Sequence, residues 1–285
     1  MPFFKRAVKR LVYAAGWFVA VTLPFPVPAA ETNNSPAYKF GAFPMIAVGQ
    51  IDKVFSPVAA ELAQTLGQPV HFRTKPTFDE FRQELSRETY DFAVVQPFDY
   101  VLAHDSYHYL PLARFEDPLR ANIMVLSDSA LQHLQDLKGA TLALPPITAA
   151  TSRMAKKALK EAGFDLKRDL TLQYTKSLDS CLQLVVVKAV SACVSSPRAV
   201  HIFESTWGQR FRTLFETPSI PNTLFVVHRR VPKDKRDLLL KTLTSWPGTS
   251  EVGREFIKLN NMRLVPAHDA EYNAVRRFPA ELDKE

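Results

Sequence analysis

The run GATLALPPITAATSRMAKKAL at 139–159 puts hydroxyls where they could hold an anion. A short apolar stretch ends at Pro145-Pro146, and amphipathic spacing begins near Thr148. A strand should therefore give way to a helix, with Thr148, Thr151 and Ser152 in its first turn. The start of a helix carries unpaired N–H groups and a partial positive charge. With hydroxyl donors added, it can take an oxyanion without lysine or arginine. Thr148 could equally serve as nothing more than the cap.

Three other segments have the same form, a strand running into a loop or helix start. In QPFDYVLAH (96–104), Gln96 can donate and accept, and Tyr100 offers an apolar face with one hydroxyl. Both suit a cleft wall, although Phe98 and Tyr100 could also be core residues. In GAFPMIAVG (41–49), Phe43 and Met45 could cover a ligand or simply pack. In TKSLDSCLQLVV (175–186), Ser177 and Asp179 can cap a helix, and Ser177 could reach a cleft. Signatures of catalysis such as HExxH, GxSxG and GxxxxGK[ST] are absent, so no enzyme activity, cofactor or metal is expected. His104 and His108 stand four apart, but Asp105 and Tyr107 between them favour a surface turn over a metal face. Cys181 and Cys193 are the only cysteines, and in an exported chain an even count favours a disulfide.

The elements that must position these residues alternate. Apolar strand-like runs at 38–43, 69–75, 90–97, 140–146, 169–175 and 191–196 are separated by helical stretches. That alternation predicts an α/β fold with largely parallel sheets. Two extended runs in succession, 110–117 and 120–128, interrupt it, and 223–230 is a second such run. These are the places where a chain would cross between two lobes. The predicted division is lobe I at 36–118 plus 222–285 and lobe II at 119–221, with the cleft between them. No internal repeat is visible.

Residues 1–30 read as a signal peptide. Lys5, Arg6, Lys9 and Arg10 precede an apolar stretch from Leu11 to Leu23, too short to span a bilayer, and small residues follow. Cleavage is expected after Ala29 or Ala30, which places the mature chain in the periplasm. Much of the formal net charge of +7 sits in that leader. The small remaining excess gives no reason to expect a nucleic-acid partner.

In order and spacing these motifs resemble the phosphate/phosphite/phosphonate-binding proteins of ABC importers, which are type II periplasmic binding proteins. The resemblance rests on FGAFP (40–44), DFAVVQPFDY (91–100), LKGATLALPPITAATS (137–152) and VVVKAVSACVSS (185–196). It implies two lobes, each a mostly parallel sheet flanked by helices, closing on a small ligand. It also implies that Thr148, Ala149, Ala150 and Thr151 hold an oxyanion while Tyr100 lines the cleft. No acidic residue stands where one would pair a ligand amine. The implied partner of a monomeric receptor is an ABC permease. A membrane sensor kinase is the alternative, and an enzyme on the same fold a further one.

Overall fold

The computed structural model describes residues 36–45, 48–279 and 282. The leader, with its expected cleavage site, lies outside the described residues. No described helix is long and apolar enough to cross a membrane.

The first half begins with β1 (Tyr38–Ala42), α1 (Val48–Leu66), β2 (Val70–Arg73), α2 (Phe78–Ser86), β3 (Phe92–Val95), α3 (Pro97–Ser106) and β4 (Tyr109–Phe115). The chain then crosses to β5 (Asn122–Leu126), β6 (Thr141–Leu144), α4 (Ala150–Glu161), β7 (Thr171–Tyr174), α5 (Leu178–Val186), β8 (Ala192–Ser195), α6 (Pro197–Trp207) and β9 (Phe211–Glu216). It returns through β10 (Leu224–His228), α7 (Lys233–Thr249), α8 (Glu251–Asn260), β11 (Leu264–Pro266) and the short α9 (Asn273–Arg276).

Two sheets result, with strand orders β11-β4-β10-β3-β1-β2 and β7-β6-β8-β5-β9. In each, a parallel core of three strands (β2-β1-β3 and β7-β6-β8) meets an antiparallel strand that arrives from the other crossing, β10 and β5 respectively. The two sheets therefore repeat one winding. The correspondence reaches single residues: Thr77 caps α2 as Ser177 caps α5, and Pro97 opens α3 as Pro197 opens α6. The sequence hides this repeat because a strand needs only buried apolar side chains, which FAVV and ACVS supply by different means.

The crossings lie side by side. Leu119 and Ile220 form an antiparallel bridge, exchanging N–H···O bonds of 2.8 and 3.0 Å. Ala121 and Thr217 continue it: the Ala121 N–H donates to the Thr217 hydroxyl, and the Thr217 N–H to the Ala121 carbonyl.

The six-stranded sheet packs on an aromatic core. Phe40, Phe55, Phe225, Phe256 and Trp246 are all within 3% of full burial and meet at ring distances of 5.3–6.3 Å. Gly253 lets α8 press against α7, since a β-carbon there would lie 2.3 Å from Trp246 Cγ. In the other half Cys181 of α5 and Cys193 of β8 form a disulfide, both fully buried.

Candidate functional site

Helix starts from both halves face one cavity of about 210 Å³. From the six-stranded side come Phe43 and Met45 after β1, Phe78 at the start of α2, and Gln96, the N-cap of α3. From the five-stranded side come Ala149, Ala150 and Thr151 at the start of α4, Leu178 at the start of α5, and Ser196, Pro197 and Arg198 at the start of α6. The crossings supply the rest, including Asp117, Leu119, Arg120 and Asn222. Strand ends and helix starts are where open α/β sheets present backbone donors to ligands.

Arg198 is the notable charge. Its guanidinium reaches from the α6 start to the other half, with Nη1 3.3 Å from Met45 Sδ and the group 5.2 Å from the centre of the Phe115 ring. Nε is buried and has no hydrogen-bond partner among the described residues. Burial, unopposed by a neighbouring carboxylate, lowers its pKa to about 10. A cation held on apolar surface without its anion is costly. Arg120 differs, since its Nε lies 3.1 Å from Glu216 in an exposed pair.

Gln96 spans the two halves. Its Oε1 accepts from the Ala150 N–H at 2.7 Å, and its Nε2 donates to the Thr148 carbonyl at 3.0 Å and to Asp99 at 2.9 Å. The buried Asp99 also meets Arg82 Nε at 2.9 Å, while burial pushes its carboxyl pKa up. Asp99 takes the amide nitrogen and so fixes which end of Gln96 faces α4.

The helix begins two residues later than the hydroxyl pattern predicts. Pro145 and Pro146 carry no N–H, and the Ala149 N–H turns back to the Pro146 carbonyl at 2.8 Å. Ala149 is thus the N-cap, and Thr148 lies before the helix, offering Gln96 its carbonyl. The Ser152 hydroxyl donates to the Pro145 carbonyl at 3.0 Å and is fully buried. The first-turn N–H groups of Thr151 and Ser152 find no acceptor among the described residues. Of the expected residues, the cavity gathers Phe43, Met45, Gln96, Ala149, Ala150 and Thr151. Ser177 caps α5 with Ser180 instead, and Leu178 beside it lines the cavity.

Tyr100 stands apart. It is fully buried, packs on Tyr272 at 4.5 Å between ring centres, and donates its hydroxyl to Asp269 at 2.7 Å. Burial and this carboxylate raise its pKa. A Tyr100→Phe variant should lose about 1.5–3 kcal/mol of stability, the worth of a hydrogen bond to a charged group. Its ligand affinity should match the parent's by titration calorimetry. A tenfold loss of affinity with unchanged stability would put Tyr100 in the site.

Phe78, Leu178, Arg198 and the crossing residues were not foreseen. Pro197, directly after the strand-like run 191–196, is the available signal, since Ser196-Pro197 stands where Gln96-Pro97 stands after the run that leads into the first cleft wall.

A second cluster lies elsewhere. His108 Nδ1 and His228 Nε2 meet the two oxygens of Glu88 at 2.9 and 3.0 Å, while His104 Nδ1 meets Asp105 at 2.9 Å. The Arg230 N–H lies 3.1 Å from His228 Nδ1, which makes Nδ1 the acceptor and leaves the proton on Nε2, donated to Glu88. That tautomer holds a hydrogen-bonded triad together.

Comparison with solved structures gives the same fold. PhnD1 from Prochlorococcus marinus, solved with methylphosphonate, superposes with a TM-score of 0.76 at 16% identity, covering 87% of this chain and 99% of that one. A binding protein component of an ABC phosphonate transporter from Pseudomonas aeruginosa gives 0.71 at 14% identity, covering 85% of each. The aliphatic sulphonate binding protein SsuA from Escherichia coli gives 0.60 at 13%, covering 87% and 96%. At such identities the likeness is one of fold, that of type II periplasmic binding proteins. The comparison with curated proteins returned no match. A family model described as the ABC transporter, phosphonate, periplasmic substrate-binding protein matches residues 40–272, and with two sheets wound alike around one cleft, the chain belongs to that family of periplasmic phosphonate-binding components of ABC transporters.

Proposed function

We propose that this chain captures an oxyanion, a phosphonate above all, in the cleft between its two sheets and hands it to an ABC permease. The observation that carries this reading is Arg198, a cation without an acidic partner among the described residues, on apolar surface, in a cavity bounded by helix starts. A bound oxyanion would supply the missing charge and satisfy Nε. The first-turn N–H of Thr151, which lines the cavity and has no acceptor among the described residues, supports the same site from α4. The family's work is to bind a ligand for transport, and in this reading the cleft does its work by binding and closing.

Residues 36–118 with 222–285, and 119–221, act in this reading as the two lobes, moving about the paired crossings at Leu119 and Ile220. The leader is removed after Ala29 or Ala30, and the mature chain works as a monomer, because one chain furnishes both walls. The permease is the partner we favour over a sensor kinase, since it is the family's own.

The test is thermal unfolding of residues 31–285 with methylphosphonate, phosphate and neutral controls. An anion at about a hundred times its Kd should stabilise by about 2.7 kcal/mol, a rise of about 5–10 °C. Methylphosphonate should produce it and the neutral controls should not. A flat response to both anions would reject the reading.

A further inference from the structure

We infer that the cleft selects a singly charged tetrahedral oxyanion bearing an apolar organic substituent, so that alkylsulfonates bind as well as alkylphosphonates and aminoalkyl analogues are refused. This rests on the function proposed above and specifies its ligand.

The first argument is charge. Among the described lining residues Arg198 is the cation free of an acidic partner, while Arg120 is matched by Glu216. The helix starts add less than their number suggests. At α4 the Ala150 N–H is already taken by Gln96, and α6 opens with Pro197, which has no N–H. A second negative charge would enter a largely apolar cavity without a matching cation, at a desolvation cost. A sulfonate carries one charge throughout the neutral range. A phosphonate meets the same condition as its monoanion.

The second argument is the wall. Phe43, Phe78, Leu119, Leu178 and Met262 present apolar surface around the cation. Phosphate and sulfate have nothing to lay against it. An alkyl group does, and each added methylene should tighten binding by about fourfold until the cavity is full.

The third argument concerns acids. Asp117, the carboxylate of the lining, is exposed at the rim, and the buried Asp99 is engaged by Arg82 and Gln96. An ammonium group carried inward on the ligand would have no buried partner, a loss of about a hundredfold or more.

Titration calorimetry on residues 31–285 tests this with ethylphosphonate, propylphosphonate, ethanesulfonate, propanesulfonate, 2-aminoethylphosphonate, 2-aminoethanesulfonate, phosphate and sulfate. The expected order places both alkyl series together, propyl tighter than ethyl. The inorganic anions follow, and the aminoethyl compounds come at least about a hundredfold below their ethyl counterparts. Aminoethylphosphonate binding as tightly as ethylphosphonate would overturn the inference. So would alkylphosphonates binding while alkylsulfonates do not, or phosphate exceeding both series. In each of those cases an oxyanion still binds and the proposed function survives. Silence from every anion would end both.

Discussion

Replacing Arg198 by methionine should weaken methylphosphonate binding by about 2–5 kcal/mol, the usual cost of truncating one partner of a buried hydrogen-bonded charge pair. In Kd that is about 30-fold to several thousandfold. The ligand-free protein should behave in the opposite sense. Its guanidinium has a buried Nε without a partner and sits on Met45 and Phe115, so a neutral thioether of similar length removes an unpaired charge from apolar surface. The variant should unfold at the parent's temperature or above it while losing the anion-dependent rise. Arg198→Lys keeps the charge without the planar fork and should fall between. Calorimetry with thermal unfolding on the same samples separates the cases. Parent-like affinity in Arg198→Met would move the anion elsewhere. Loss of both stability and affinity would mark the arginine as a packing residue.

The second large effect is expected at the disulfide. Cys181 and Cys193 are twelve residues apart in sequence, and closing a loop of that size stabilises by about 3 kcal/mol in the chain-entropy model. A Cys181→Ala/Cys193→Ala double variant should unfold about 5–10 °C lower. Binding should suffer as well, through geometry. The bridge ties α5 to β8, β8 runs straight into Ser196 and Arg198, and α5 begins at Leu178. One covalent link thus fixes two walls of the cavity relative to each other. Methylphosphonate affinity should drop several-fold in the double variant. An unchanged unfolding temperature would show that the crosslink does not stabilise the fold.

What could be read from the sequence follows from which interactions are local. The strand–helix alternation was legible because each strand is a short apolar run and each helix repeats its apolar face. Gln96 and Thr151 were legible because strand ends and helix starts are local events. A threonine three residues ahead of a glutamate marks a helix start in the same local way, and the side chain of Thr77 accepts from the Glu80 N–H at 3.1 Å.

Other features depend on partners far along the chain. Tyr100 reads as a cleft residue until the segment 269–276, which has no clear periodicity, folds over α3 and offers Asp269 and Tyr272. Arg198 carries no local sign of its role, since RAVHIFES (198–205) shows nothing of Met45 and Phe115 arriving from the other half. Asp117 and Asn222 become neighbours only when the crossings pair, the Asn222 amide donating to the Asp117 carbonyl at 2.8 Å. The start of α4 was misjudged by two residues for a local reason, the turn that Pro145 and Pro146 impose.

The interleaved strand order has a consequence for how the chain comes to be folded. Every strand of the five-stranded sheet lies between Asn122 and Glu216, so that sheet can complete itself from one uninterrupted stretch. The six-stranded sheet cannot. β10, from Leu224 to His228, is the strand between β3 and β4, so the segments that emerge first must wait for nearly the last. During export the earliest residues to reach the far side would therefore hold open sheet edges for longest, the kind of surface that aggregates or recruits chaperones. Prolonged exposure of β3 and β4, rather than any weakness of the finished fold, would then limit the yield of mature protein.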